Sequence, residues 1–235
     1  MPRPDLLARA LEAPVEPPLR PLPETVAALL RELAAPPRLA AHLRLVHDVA
    51  YELTDWFAEF RPALAFDRGA VLFGAATHDM GKVVHTAELD GPGSAHEPAG
   101  RELLLAYGFA PERARFAATH GSWAGTGVSV EELLVTTADK VWKGKRVSGL
   151  EDLLIDHLVR VSGPGAERWQ VYLELDSLLA RIAEGADARL AFQAAYPVLV
   201  HPARDPSAAV PGDDVPPRGM PPGVIQREGR DLPAR

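Results

Sequence analysis

Residues 38–60 read RLAAHLRLVHDVAYELTDWFAEF, and their apolar side chains recur at the spacing of a helix. Pro36 and Pro37 stand just ahead of the stretch, where proline suits a helix start. His42, Val46 and Ala50 fall at i, i+4 and i+8, so they form one stripe of that helix. The stripe is otherwise apolar, and His42 is therefore expected to face inward. A single inward histidine is ordinarily a hydrogen-bonded core residue. It acquires another meaning only from the groups that the rest of the chain brings to it. His47, five residues on, points about 140° away on the same helix and is expected to be structural or exposed.

On both sides of this stretch the pattern stays helical. Glu24–Leu33 is short and amphipathic, and Arg68–Thr77 is a small-residue apolar helix running into His78 and Asp79. Ser94 is expected to cap a helix reaching about Tyr107, and Pro111 to open one reaching about His120. Ser129 with Glu132 has the spacing of a capping box at the start of a helix from Val130 to about Lys143. Further helices are expected at about Leu150–Val161, Ala166–Glu184 and Ala186–Tyr196. No alternating strand pattern and no internal repeat accompanies them, so the expected class is all-α. Residues 1–23 are proline-rich and read as a loosely ordered lead-in with at most a turn of helix at Leu6–Leu11. The helical domain is then expected over residues 24–200. Residues 201–235 are rich in proline, glycine and charge and read as a disordered tail.

Composition narrows the chemistry. The 235 residues suffice for one domain with its own core. Cysteine is absent, which removes disulfides, thiolate nucleophiles and thiolate metal sites together. The formal net charge of −7 argues against a broad nucleic-acid-binding face, and a long nucleic acid is not the expected partner. No apolar run is long enough to span a membrane, and the opening residues show no signal-peptide core. A cytoplasmic protein is expected. Neither a Walker loop nor a dinucleotide-binding glycine pattern is present.

The residues that carry chemistry are histidines and aspartates in unusual settings. His78 and Asp79 are adjacent at the end of an apolar helix, just before Met80-Gly81-Lys82. Neighbours within a helix point about 100° apart, but at a helix end the chain can turn so that both meet one ion. Imidazole with carboxylate suits iron, manganese, cobalt, nickel or zinc. Asp139 lies in the apolar stretch Leu133-Leu134-Val135-Thr136-Thr137-Ala138, where a carboxylate is costly to bury without a partner. His96 opens the helix after the Gly91-Pro92-Gly93 loop, and His120 closes the helix of Phe116-Ala117-Ala118-Thr119. Each has an ordinary structural reading alone; occurring together they point to a metal site.

In this order the set resembles the H…HD…D pattern of the HD-domain metal-dependent phosphohydrolases. Arg38-Leu39-Ala40-Ala41-His42 is similar to that family's first motif, and Ala75-Ala76-Thr77-His78-Asp79-Met80-Gly81-Lys82 to its second. His96-Glu97-Pro98-Ala99-Gly100 with Leu103-Leu104 resembles the helix that follows. His120 and Ala138-Asp139-Lys140 resemble its later histidine and closing aspartate. The resemblance covers roughly residues 36–146. It implies a helical bundle with the metal site in its interior and His42, His78, Asp79 and Asp139 as ligands of one divalent ion. His96 and His120 match the extra histidines of members that hold a second ion, with Asp79 then bridging. In single-ion members histidines at these places face the substrate phosphate instead.

The implied reaction is hydrolysis of a phosphate ester or anhydride by metal-activated water, on a small phosphorylated substrate such as a nucleotide. Nucleoside monophosphates, dinucleoside polyphosphates, cyclic dinucleotides and short RNA ends all carry the group concerned. Lys82, three residues past the pair, is the expected phosphate-binding cation; Lys140 beside Asp139 is a weaker one. His85 is a candidate proton donor to the leaving group. Glu97, next to His96, is a candidate either to orient that ligand or to act as acid or base. Two other classes stay open on these residues: a di-iron oxygenase, and a metal- or nucleotide-binding regulatory module with little turnover. The oligomeric state has no signature in the sequence.

Overall fold

A computed structural model describes residues 5–62, 64–162 and 167–198. Every regular element among them is helical. Helices α1 (Leu6–Glu12), α2 (Glu24–Glu32), α3 (Pro37–Phe60) and α4 (Arg68–Thr77) are followed by two 3-10 turns, Met80–Val83 and Thr86–Leu89. Then come α5 (His96–Ala106), α6 (Pro111–Thr119), α7 (Val130–Val141), α8 (Ser148–Ser162), α9 (Arg168–Glu184) and α10 (Ala186–Ala194). The expectation of an all-α chain holds among these residues. No helix in them is long and apolar enough to cross a membrane. The tail expected over 201–235 lies outside the described residues.

The central element is α3. From Leu39 to Ala50 every residue is buried, so this half of the helix is enclosed all round, as an axial core helix must be. Its C-terminal half buries one face, through Leu53, Thr54 and Phe57. Around it α4 and α7 pack on one side and α1 on another, while α5 and α6 pair with each other. Leu45, Val49, Leu53 and Phe57 of α3 join α4, α7, α8 and α9 in one apolar cluster. Leu39, Ala40 and Leu43 join α1, α2, Met80, Leu104 and Ala117 in a second.

Local signals explain the element boundaries. Asp67 caps α4 by accepting from Ala70 N at 2.8 Å. The capping box of α7 is present: Ser129 Oγ accepts from Glu132 N at 3.3 Å, and the Glu132 carboxylate accepts from Ser129 N at 2.9 Å. The start of α5 differs from expectation. Ser94 does not cap it; the helix begins at His96, and the Glu88 carboxylate takes the cap by accepting from Ala95 N and His96 N, both at 3.1 Å.

The lead-in also differs. Ala10, Leu11 and Leu22 are buried against the first half of α3. Arg44 of α3 is only 4% exposed and has carbonyls around it: Ala13 at 3.0 Å, Leu19 at 3.1 Å, Arg20 at 3.4 Å and Ala10 at 3.5 Å. Asp48, one turn further, accepts from Arg20 N at 3.0 Å. Residues 5–22 are thus held by buried donors that need their carbonyls. Proline richness alone carried no sign of this.

Candidate metal centre

Six side chains that lie far apart in sequence meet in the interior. His42 comes from the second turn of α3, His78 and Asp79 from the end of α4, His96 from the start of α5, His120 from the end of α6 and Asp139 from α7. All six are buried, none more than 7% exposed. Close backbone approach brings them together. A Cβ at Gly74 would lie 2.7 Å from Phe116 and 2.8 Å from Val135, so only glycine lets α4 approach α6 and α7 this closely. A Cβ at Gly81 would lie 2.0 Å from the His96 carbonyl, which is how α5 carries His96 up to the turn after Asp79.

The donor atoms form two groups, His42, His78 and Asp139 in one and Asp79, His96 and His120 in the other. Within each group they all lie within 4.8 Å of one another. Asp79 divides its two oxygens between the groups. Its Oδ2 is 3.1 Å from His42 Nε2 and 3.6 Å from His78 Nε2. Its Oδ1 is 3.0 Å from His96 Nε2 and 3.5 Å from His120 Nε2. Asp139 Oδ1 completes the first group, 3.4 Å from His78 Nε2 and 3.9 Å from His42 Nε2.

The ring tautomers follow from the outer nitrogens. His78 Nδ1 is 3.0 Å from the Ala75 carbonyl, and His120 Nδ1 is 3.1 Å from that of Ala117. His96 Nδ1 is 2.5 Å from Glu88 Oε2. Each of these nitrogens therefore carries the proton, and each Nε2 presents a lone pair to the interior. His42 and His78 bring their Nε2 atoms to 3.2 Å. His96 Nε2 is buried, 3.0 Å from Asp79 Oδ1. Lone pairs and carboxylate oxygens thus face one another without enough protons between them. Ligands about 2.1 Å from one ion stand about 3.0–3.4 Å from each other; most pairs here lie at 3.0–3.6 Å, and His42 with Asp139 at 3.9 Å is wider. The donor set fits a divalent transition metal.

The electrostatics agree. Burial opposes ionisation of Asp79 most strongly, yet His78 together with the imidazoles of His120, His42 and His96 holds its carboxyl well below the usual range. Asp139 behaves alike: burial raises it, and His78 and Lys140 outweigh burial and lower it. Both carboxylates are therefore ionised at neutral pH, as metal ligands must be. Burial pushes His96 down, but Asp79 and Glu88 more than reverse this.

The residues expected to act beside the metal are distributed unevenly. Lys82 Nζ is 2.6 Å from Asp79 Oδ2, and Lys140 Nζ is 2.5 Å from Asp139 Oδ2, so each carboxylate of the cluster carries one lysine. Glu97 lies against Gly121, the residue after His120, where a Cβ would come within about van der Waals overlap of its carboxylate. The position beside His96 Nδ1 belongs to Glu88 and not to Glu97. His85 is half-buried at the head of the second 3-10 turn and makes no side-chain hydrogen bond with the cluster among the described residues. His47 is buried, edge-on to Tyr51 at 5.0 Å, and stands outside the cluster. Two neighbours had no sequence signal. Glu88 sits in a loop eight residues before His96, and Trp142 packs edge-on against the His42 ring at 5.0 Å. Comparison with protein-family models, with curated proteins and with solved structures finds no match.

Proposed function

We propose that the chain is a metal-dependent phosphohydrolase of the HD-domain type, acting on a small phosphorylated molecule such as a nucleotide. The observation that carries the reading is the division of Asp79 between two imidazole groups, one completed by Asp139. That arrangement suits two divalent ions with Asp79 between them, His42, His78 and Asp139 on one and His96 and His120 on the other. The ordered motif resemblance over residues 36–146 points the same way.

Bound divalent ions supply Lewis acidity and a water of low pKa. The chain's own residues do the remainder. Lys82 and Lys140 hold positive charge beside the two carboxylates, where a phosphoryl group would bring negative oxygens. Their ammonium groups are tethered through Asp79 and Asp139, so the charge is held in place before substrate arrives. Glu97, against the loop after His120, and His85, after Lys82, are the groups assigned to proton delivery to the leaving oxygen. The six donor side chains are themselves buried, none more than 7% exposed.

The test is phosphate release from a nucleotide panel by protein stripped of metal and reloaded with manganese or iron. Turnover on at least one substrate, lost on stripping and restored on reloading, is expected. Metal-loaded protein that releases phosphate from none of them contradicts the reading. Oxygen uptake by the iron-loaded protein, with no phosphate release, would replace it with the oxygenase chemistry.

A further inference from the structure

The imidazoles of the cluster are oriented in different ways. His78 and His120 stand at the C-terminal ends of α4 and α6. Free carbonyls of the last helical turn are available there, and each ring uses one: Ala75 for His78 and Ala117 for His120. These two rings are fixed by their own helices. His96 opens α5, where carbonyls point along the helix and away from it. Its acceptor has to come from elsewhere in the chain.

Glu88 supplies it. Oε2 is 2.5 Å from His96 Nδ1 and 3.1 Å from His96 N, and Oε1 is 3.1 Å from Ala95 N. One carboxylate therefore caps α5 and fixes the ring of its first residue. The loop between is shaped to this carboxylate. Glu88 lies on the short turn Thr86–Leu89, and Gly93 leaves no room for a side chain because its Cβ would overlap Glu88 Oε1.

We propose that Glu88 is the positioning residue that enables the Asp79–His96–His120 group to hold its ion. The proposal rests on the two-ion reading above. The His42–His78–Asp139 group makes no use of this loop and holds its ion without it. Loss of Glu88 therefore yields a folded protein with one ion. A glutamine at this place has one carbonyl oxygen where the carboxylate offers two, and its amide group meets N–H donors, so it restores the contact only in part.

Two measurements on the full chain separate this role from a structural one. In metal-free protein, nitrogen-15 NMR of the histidines reports the His96 tautomer without any metal. The proton is expected on Nδ1 in the wild type and redistributed in Glu88→Ala. Manganese titration of the same samples then reports loading. The wild type is expected to take about two equivalents and to give the electron-paramagnetic signal of a coupled pair. Glu88→Ala is expected to keep the first equivalent at wild-type affinity, weaken the second about 100-fold and show an isolated manganese signal, with Glu88→Gln weakened about 10-fold. Unchanged second-site affinity and tautomer in folded Glu88→Ala would overturn the proposal. So would equal weakening of both equivalents, which marks a purely structural cap. A wild type that holds fewer than two equivalents removes the two-ion reading and the loading role with it, and the tautomer result then decides whether Glu88 orients His96.

Discussion

Helix α3 carries two buried polar regions less than two turns apart, and they are built on opposite terms. Around Arg44 every charge has found its complement: the guanidinium is surrounded by four carbonyls of the lead-in, and Asp48 accepts from Arg20. Around His42 the protons fall short of the acceptors, with His42 Nδ1 and His96 Nε2 buried and without a hydrogen-bond partner. Buried polar groups are normally satisfied, so the first region is explained by folding alone. The second gathers His and Asp donor atoms that could hold a metal ion. Burial of polar side chains does not mark a functional site; an excess of acceptors without protons does.

The comparison breaks most sharply at the His42–Asp79 side. His78→Ala or Asp79→Ala is expected to lose bound metal and to lower phosphate release by at least about a thousandfold. Metal analysis and an activity assay on the folded variants check this, and a metal-loaded, fully active variant would remove the residue from the site.

The Arg44 region is expected to respond in stability instead. Arg44→Met leaves the buried carbonyl of Ala10 and the half-buried carbonyls of Ala13 and Leu19 without their donor, at a cost of about 3 kcal/mol. A lowered urea midpoint with unchanged metal content per folded chain is the expected result. Loss of metal at unchanged stability would mean that the two regions are not independent.

His47 sharpens the contrast further, because it is a buried histidine of α3 outside the cluster. Burial, then the charges of Arg20 and Arg68, lower it from 6.5 to about 4. The folded protein keeps the ring neutral, while the unfolded chain takes up its proton first. Its contribution is therefore complete above about pH 6.5 and is lost as the pH falls through about 4, amounting to about 3 kcal/mol across that window. Stability curves of wild type and His47→Phe are expected to converge in slope above the window and to part within it, the wild type falling more steeply. Parallel curves from pH 7 to 4 would show that His47 is not held neutral.

The smallest expected effect concerns the lysines. Lys82→Ala is expected to keep its metal while losing about 10- to 100-fold in turnover, since Lys82 touches Asp79 through an oxygen and coordinates nothing itself.

Much of this was legible in the sequence, for identifiable reasons. The helices showed themselves through 3.6-residue periodicity, and Ser129 with Glu132 announced its cap through local spacing. The six clustered residues stood out because each occupies a helix end or an apolar face where its type is unusual. What stayed hidden was non-local. The lead-in is ordered by Arg44, more than twenty residues away along the chain. Glu88 looked like any loop acid, and its partners at Ala95 and His96 exist only once the turn folds back. The division of the Asp79 oxygens is a matter of ångströms that residue spacing does not encode.

The most direct test of a metal-bearing interior is the metal content of the chain, purified without a metal-binding tag and reconstituted with iron or manganese. About two equivalents per chain are expected in the wild type, with both lost in Asp79→Ala. A folded wild-type chain that takes up no metal after reconstitution contradicts it.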